Sequence, residues 1–239
     1  MLNRAARYFP ILRELRPYLA CRPRLLEIGS GPIGIGDYYP HPFVGCDLSF
    51  PALPAAPMKA IVASGTQLPF SDASFDIVVV SDVLEHVPVE ARQALIDEAL
   101  RVAKKVVVFG FPCGPDAAAA DRELLRLYQS RRQPPPIWLA EHMENPFPDE
   151  SLFQTPPAGC TLRMLANESI SFHLWMMSKE MSRFWRLAFK AALVLSPTAV
   201  ERWLQQRDCE PAYRRIFIVQ KQTQADRCES EKLAFQVDD

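Results

Sequence analysis

The sequence predicts an α/β protein with a doubly wound, mostly parallel sheet and helices on both faces, and two observations predict it. Residues 25–28, 77–80 and 106–111 are short aliphatic runs without the polar alternation of a one-faced strand, as expected of strands covered on both sides. Between the second and third runs, Leu95, Ile96, Ala99, Leu100 and Ala103 recur at helical spacing within residues 89–103. Strands alternating with helices form parallel βαβ units, so the chain should wind back and forth across one sheet.

Composition narrows the partners. With 239 residues the chain can build one large domain with an elaboration, and 49% hydrophobic with 23% charged residues is the balance of a soluble globular protein. A net charge of -1 provides no global attraction to nucleic acid or to membranes, so no nucleic-acid partner is expected and charged ligands must be met locally. No run of 18 apolar residues suggests a membrane span. Cys21, Cys46, Cys113, Cys160, Cys209 and Cys228 contain no C-x-x-C pair. The sequence therefore predicts free thiols in a reducing, cytoplasmic setting, without disulfides or a structural metal.

The elements follow in order. Ala5, Tyr8, Phe9, Leu12, Leu15 and Leu19 have helical spacing, interrupted by Pro10 and Pro17, which predicts a kinked or two-piece helix over residues 3–20 lying on one face of the sheet. Its arginines resemble a transit peptide in composition, but the direct run into the first strand favours a packed amphipathic helix. The strand at 25–28 opens into Gly29, Gly31 and Gly34, the G-x-G-x-x-G spacing of a nucleotide-type loop. A second strand, 42–47, ends in Asp47, where a carboxylate can accept hydrogen bonds from a ribose diol. A third strand spans 59–63, and a polar turn leads to the fourth, which ends at Ser81 and Asp82.

Beyond the fifth strand, residues 117–132 form a predicted helix, and a proline-rich, aromatic loop over 134–148 carries Glu141 and His142. A short helix over 149–154 and a strand over 160–166 follow. Phe172, Trp175, Met176, Phe184 and Leu187 then give 170–195 a wide apolar helical face with Lys and Arg flanking it. Three readings fit that face: a cap on the core, a dimer or partner surface, or an interfacial membrane helix. Residues 212–220 make the last strand, and the polar tail after 222 is expected to be disordered.

Four ordered motifs narrow the reading: Leu-Glu-Ile-Gly-Ser-Gly (26–31), Gly-Cys-Asp (45–47), Leu-Pro-Phe-Ser-Asp-Ala-Ser-Phe-Asp (68–76) and Asp-Val-Leu-Glu-His-Val (82–87). Over about residues 24–113 the chain resembles the class I S-adenosylmethionine-dependent methyltransferases, of the small-molecule, methyltransferase domain 11 type. The resemblance implies a single domain over 1–222 with a Rossmann-like seven-stranded sheet. It also implies a helical insertion before the last strand, that strand lying antiparallel at the sheet's edge, and S-adenosylmethionine as cofactor.

By the same resemblance Glu27, Gly29, Ser30, Gly31 and Gly34 lie along the methionine and ribose, Asp47 holds the ribose hydroxyls, and Gln67 and Leu68 border the adenine. Ser81 and Asp82 sit where sulfonium and acceptor meet. The chain departs from the pattern at Ala63-Ser64-Gly65, where relatives carry Gly-Asp-Ala; Ser64 and the Gly65 backbone can hydrogen-bond adenine without charge. The link over 36–43 also leaves room for only about one turn in place of the usual helix.

His86, Glu141 and His142 are the candidate catalytic groups, because a hydroxyl acceptor must lose its proton; alternatively Glu85 and His86 only begin the next helix. The expected activity is methyl transfer to a small molecule, glycan or lipid-linked acceptor, with residues 170–195 as a possible dimer or peripheral membrane contact. A non-catalytic binding protein of this fold and a nicotinamide-dependent oxidoreductase are the alternatives.

Overall fold

A computed structural model describes residues 1–222; the expected disordered tail lies outside the described residues. Seven strands, β1 (Leu25–Ile28), β2 (Phe43–Asp47), β3 (Met58–Val62), β4 (Phe75–Ser81), β5 (Ala103–Pro112), β6 (Cys160–Ser169) and β7 (Ala212–Lys221), form one sheet in the order β3-β2-β1-β4-β5-β7-β6. The first five run parallel, and β7 pairs antiparallel with both β5 and β6.

The aliphatic runs are unbroken because consecutive residues serve opposite faces. Val78, Val80, Val107 and Phe109 pack beneath helix α2 (Val89–Val102) through Leu95, Ile96 and Ala99. Ile77, Val79, Val106 and Val108 face α1 (Leu2–Leu19) through Tyr8, Ile11 and Leu15. Each fully buried aliphatic side chain contributes about 1.5–3 kcal/mol, so this double cover is the main fastening of the sheet.

Two expectations need correction. β7 lies inside the sheet, and β6 holds the edge. Nearly every residue of β7 is buried, which requires a neighbour on each side, whereas β6 exposes much of its first half. Second, α1 is a single helix through both prolines. Pro10 cannot donate to the Ala6 carbonyl one turn back, but Asn167 donates its side-chain N–H there at 3.2 Å, so the lost bond is replaced from β6.

The segment after β6 is three helices: α5 (Ile170–Glu180), α6 (Arg183–Leu195) and α7 (Pro197–Gln205). Pro197 disfavours helical backbone at Ser196 and so separates the last two. Phe172, Met176, Phe189 and Leu204 pack on Leu2 and Ala5 of α1 and Leu124 of α3 (Gly114–Ser130), so the insertion is a cap. The proline-rich loop carries one short helix, α4 (Ile137–Glu141). Where a first crossover helix was expected to be cut short, a single 3-10 turn spans Gly34–Asp37.

Candidate active site

The glycine loop leaves β1 in left-handed backbone. Gly29 has φ +71°, and a Cβ there would run into Val83 Cγ2, so no larger residue fits without displacement. The Gly29 and Ser30 amides donate to the Cys46 carbonyl at 2.7 and 3.3 Å, tying the loop to β2. Glu27 braces it from below: its carboxylate accepts from Tyr8 Oη at 2.7 Å and from the Ile35 amide at 2.6 Å. Burial raises the Glu27 pKa to about 7. Asp47 accepts from the Gly31 amide at 2.8 Å and the Leu48 amide at 2.7 Å. A carboxylate has about four acceptor positions, so Asp47 is held by the loop with capacity left for a ligand.

At the carboxyl ends of these strands lies a cavity of about 450 Å³, bounded by Gly29, Asp47, Ser64, Gly65, Asp82 and His86, with Val83, Val87 and Leu95 as an apolar wall. A fixed carboxylate on one side, an apolar wall on the other and backbone exposed at glycines suit a nucleoside. Ser64 Oγ is bonded to Thr66 Oγ1 at 2.8 Å, and Thr66, not singled out from sequence, also lines the cavity.

The remaining expected residues lie around this cavity and do not line it. Glu27, Ser30 and Gly34 build the loop's underside, Gly31 borders open space, and Ser81 is buried at the end of β4. The Leu68 side chain is in the core, with its amide donating to Glu98, and Gln67 faces solvent.

A second cavity of about 210 Å³ shares Asp82 and His86 with the first; Asn3, Arg7, Glu85, Trp138, His142, Tyr213 and Arg214 complete it. Asp82 stands at the junction with φ +51°, a strained position for a residue with a side chain. Its carboxylate pairs with Arg7 at 2.7 Å and with Arg214 at 2.9 Å. Burial alone would raise its pKa, but the Arg214 and Arg7 guanidiniums hold it at about 2.

Arg214 also bonds Glu168, whose other oxygen holds His173 Nδ1 at 2.8 Å. Tyr213 Oη donates to Asp121 at 2.9 Å, and Asp121 holds His142 Nδ1 at 2.6 Å. His86, Glu141 and His142, expected as catalytic groups, do come together. His86 Nδ1 is 3.1 Å from Glu141, and the two imidazole centres are 4.9 Å apart. Burial and the neighbouring His142 lower the His86 pKa. Glu85 and His86 sit in a 3-10 turn, Leu84–His86, ahead of α2 and not within it.

Sequence reading missed Arg7, Asp121, Tyr213 and Arg214. Asp121 left a trace, a lone acid on the apolar face formed by Ala117, Ala120 and Leu124; Arg214 left another, a charge within an apolar strand. A larger groove of about 640 Å³, between α1 and α6–α7, shares no residue with either cavity.

Residues 26–109 match the family model described as a methyltransferase domain. No curated protein sequence matches. Among solved structures, the plantazolicin methyltransferase BpumL, with a pentazolic desmethylPZN analog and SAH, superposes with a TM-score of 0.58 at 12% identity, over 93% of this chain and 86% of that one. The same enzyme with a monoazolic analog gives 0.57 at 13% identity, over 93% and 85%. A SAM-dependent methyltransferase from Archaeoglobus fulgidus has 17% identity over 89% and 92% of the two chains, with a TM-score of 0.48. Residues 26–109 thus carry a methyltransferase domain, within a chain that has the Rossmann-like fold of class I methyltransferases. The Rossmann-like seven-stranded sheet expected from the sequence is borne out, and the SAH in the BpumL structures agrees with the expected cofactor.

Proposed function

We propose that this protein transfers the methyl group of S-adenosylmethionine to a hydroxyl oxygen of a small polar organic acceptor, free or carried as the head group of a larger molecule. One observation carries the proposal: a cavity whose lining suits a nucleoside and a cavity lined by titratable side chains meet at Asp82 and His86.

The cofactor supplies an electrophilic methyl on a cationic sulfur. In the donor cavity Asp47 accepts the ribose hydroxyls while its bond to the Gly31 amide fixes the angle of approach. Asp82, kept ionised by two guanidiniums, offers negative charge at the junction, where a cationic centre is favoured. Trp138 and the cap loop cover the acceptor cavity and limit water. His86 and His142 line the acceptor cavity and orient the hydroxyl. Half-exposed Glu141, paired with His86 outside the lining, takes the acceptor's proton through water and passes it to solvent. Most of the acceleration then comes from alignment. BpumL, whose structures contain azole analogs, supports a small-molecule or peptide-like acceptor.

Calorimetry with S-adenosylhomocysteine, followed by incubation of the protein with methyl-labelled cofactor and fractionated cell extract, tests the proposal. Binding heat with label entering a small-molecule fraction is expected. Absence of heat overturns the methyl-transfer reading, and heat without transfer to any fraction favours a non-catalytic binding protein.

A second reading, a lipid-linked acceptor reached at an anionic membrane, is favoured by α6. Phe184, Leu187, Val194 and Leu195 are exposed at helical spacing, and Arg183, Arg186 and Lys190 flank that stripe on one side. Such a helix lies in a membrane interface with its cations against anionic head groups. No helix among the described residues is long and apolar enough to cross a membrane, so contact in this reading is peripheral. Flotation with vesicles of anionic phospholipid should carry the protein upward; a Leu187→Asp variant that floats equally well removes this reading.

A further inference from the structure

Glu85 is fully buried, yet neither carboxylate oxygen has a hydrogen-bond partner. Buried carboxylates are ordinarily paired, hydrogen-bonded or bound to metal, so an orphaned one facing other ligand-type atoms points to a missing cation. His142 Nε2 is 4.0 Å away, and one ligand atom from each of Glu85, His86 and His142 lies within 4.8 Å of the others.

The two histidines are held alike. In each, Nδ1 is engaged by a carboxylate, Asp121 for His142 at 2.6 Å and Glu141 for His86 at 3.1 Å, which leaves Nε2 as the available ligand atom. Outer carboxylates of this kind fix the tautomer and ring angle of metal-binding imidazoles. The His142 ring is further set edge-on between Trp138 and Phe147, at 5.1 and 5.0 Å. Charge agrees: Asp82, Glu85, Asp121, Glu141 and Glu168 outnumber Arg7, Arg92 and Arg214 around this site.

We propose that Glu85, His86 and His142 bind one divalent transition-metal ion, Zn²⁺ by donor type. Two imidazoles and one carboxylate make a three-ligand set that leaves a coordination position open, and that position faces the 210 Å³ cavity. Zn–N and Zn–O bonds of about 2.0–2.2 Å require the three side chains to close by roughly 1 Å.

The ion's chemical role rests on the methyl-transfer reading; its binding does not. An acceptor hydroxyl at the open position loses its proton to water. Its electron pair forms the new O–CH₃ bond as the S–CH₃ bond breaks, that pair returning to sulfur. The ion lowers the proton affinity of the acceptor oxygen.

The test is a Co²⁺ titration of the chelator-treated full-length protein, followed by visible absorption, with Zn²⁺ added in competition. One equivalent should bind with the intense bands of a low-coordinate site and be displaced by Zn²⁺. His142→Ala should abolish the spectrum. Half-exposed His86→Gln, which leaves the core intact, should weaken binding by about tenfold or more. A spectrum unchanged in both variants, or none in the wild type, overturns the proposal. S-adenosylhomocysteine calorimetry on the same sample separates the two readings. Cofactor heat without Co²⁺ binding sinks only the metal, and Co²⁺ binding without cofactor heat sinks only methyl transfer.

Discussion

The two cavities that meet at Asp82 are built from opposite materials. The donor cavity draws its lining from one stretch of chain, residues 28–95, and uses backbone, small residues and an apolar wall around Asp47, with Asp82 and His86 only at the junction. The acceptor cavity draws on residues from Asn3 to Arg214 and is lined almost wholly by charged, imidazole and aromatic groups. A site made of local backbone tolerates charge changes at modest cost, whereas one made of interlocked buried ions does not. Perturbation should therefore damage folding on the acceptor side and ligand binding on the donor side.

The largest effect is expected at Arg214→Met. It removes the cation bonded to both Asp82 and Glu168, leaves Asp82 with Arg7 alone and Glu168 with only His173, and should lower unfolding free energy by about 3 kcal/mol. Urea denaturation measures it, and a loss under 1 kcal/mol would erase the contrast between the two cavities.

Next in size is a pH effect at Glu27, beneath the glycine loop of the donor side. Burial raises its pKa from 4.5 to about 7, so between these values the folded protein keeps a proton that the unfolded chain has released. This contribution is complete below pH 4.5 and disappears as pH rises through about 7, worth about 3 kcal/mol at 1.36 kcal/mol per unit. Urea unfolding of wild type and Glu27→Gln across that window should show a fall in stability confined to the wild type.

On the donor side, Gly29→Ala forces a Cβ into Val83 in left-handed backbone and should cost about 2 kcal/mol; at Gly31, also left-handed but facing open space, the cost should be about 1 kcal/mol. Thermal denaturation compares the pair, and equal losses would mean that close approach to Val83 contributes nothing. The smallest effect on folding is Asp47→Asn. Cofactor affinity should fall about tenfold, or 1.4 kcal/mol, with little change in melting temperature. A variant that binds normally would remove the ribose contact.

Much of the donor half was legible in the sequence. The aliphatic runs, the glycine spacing and Asp47 are local signals, because strand burial, left-handed turns and the end of the second strand are set by neighbouring residues. Even there, the side chain of Leu68 went to the core and Thr66 took a place on the cavity wall, since the direction of a turn's side chains depends on what packs beneath it. Glu141 and His142 were noticed as a pair, but their partners Asp121 and His86 lie in other elements and became neighbours only in the folded chain.

By itself the sequence determined the α/β class, the order of elements and the carboxylate-and-glycine frame of the donor site, all of which follow from short-range sterics and periodic burial. Tertiary structure decided the rest. It placed β7 between β5 and β6, which set Arg214 against Asp82 across 132 positions of sequence, and it brought Asn167 to the Ala6 carbonyl so that α1 runs on through Pro10. Pairings of that length depend on which strands become neighbours, and no local pattern of residues encodes that choice.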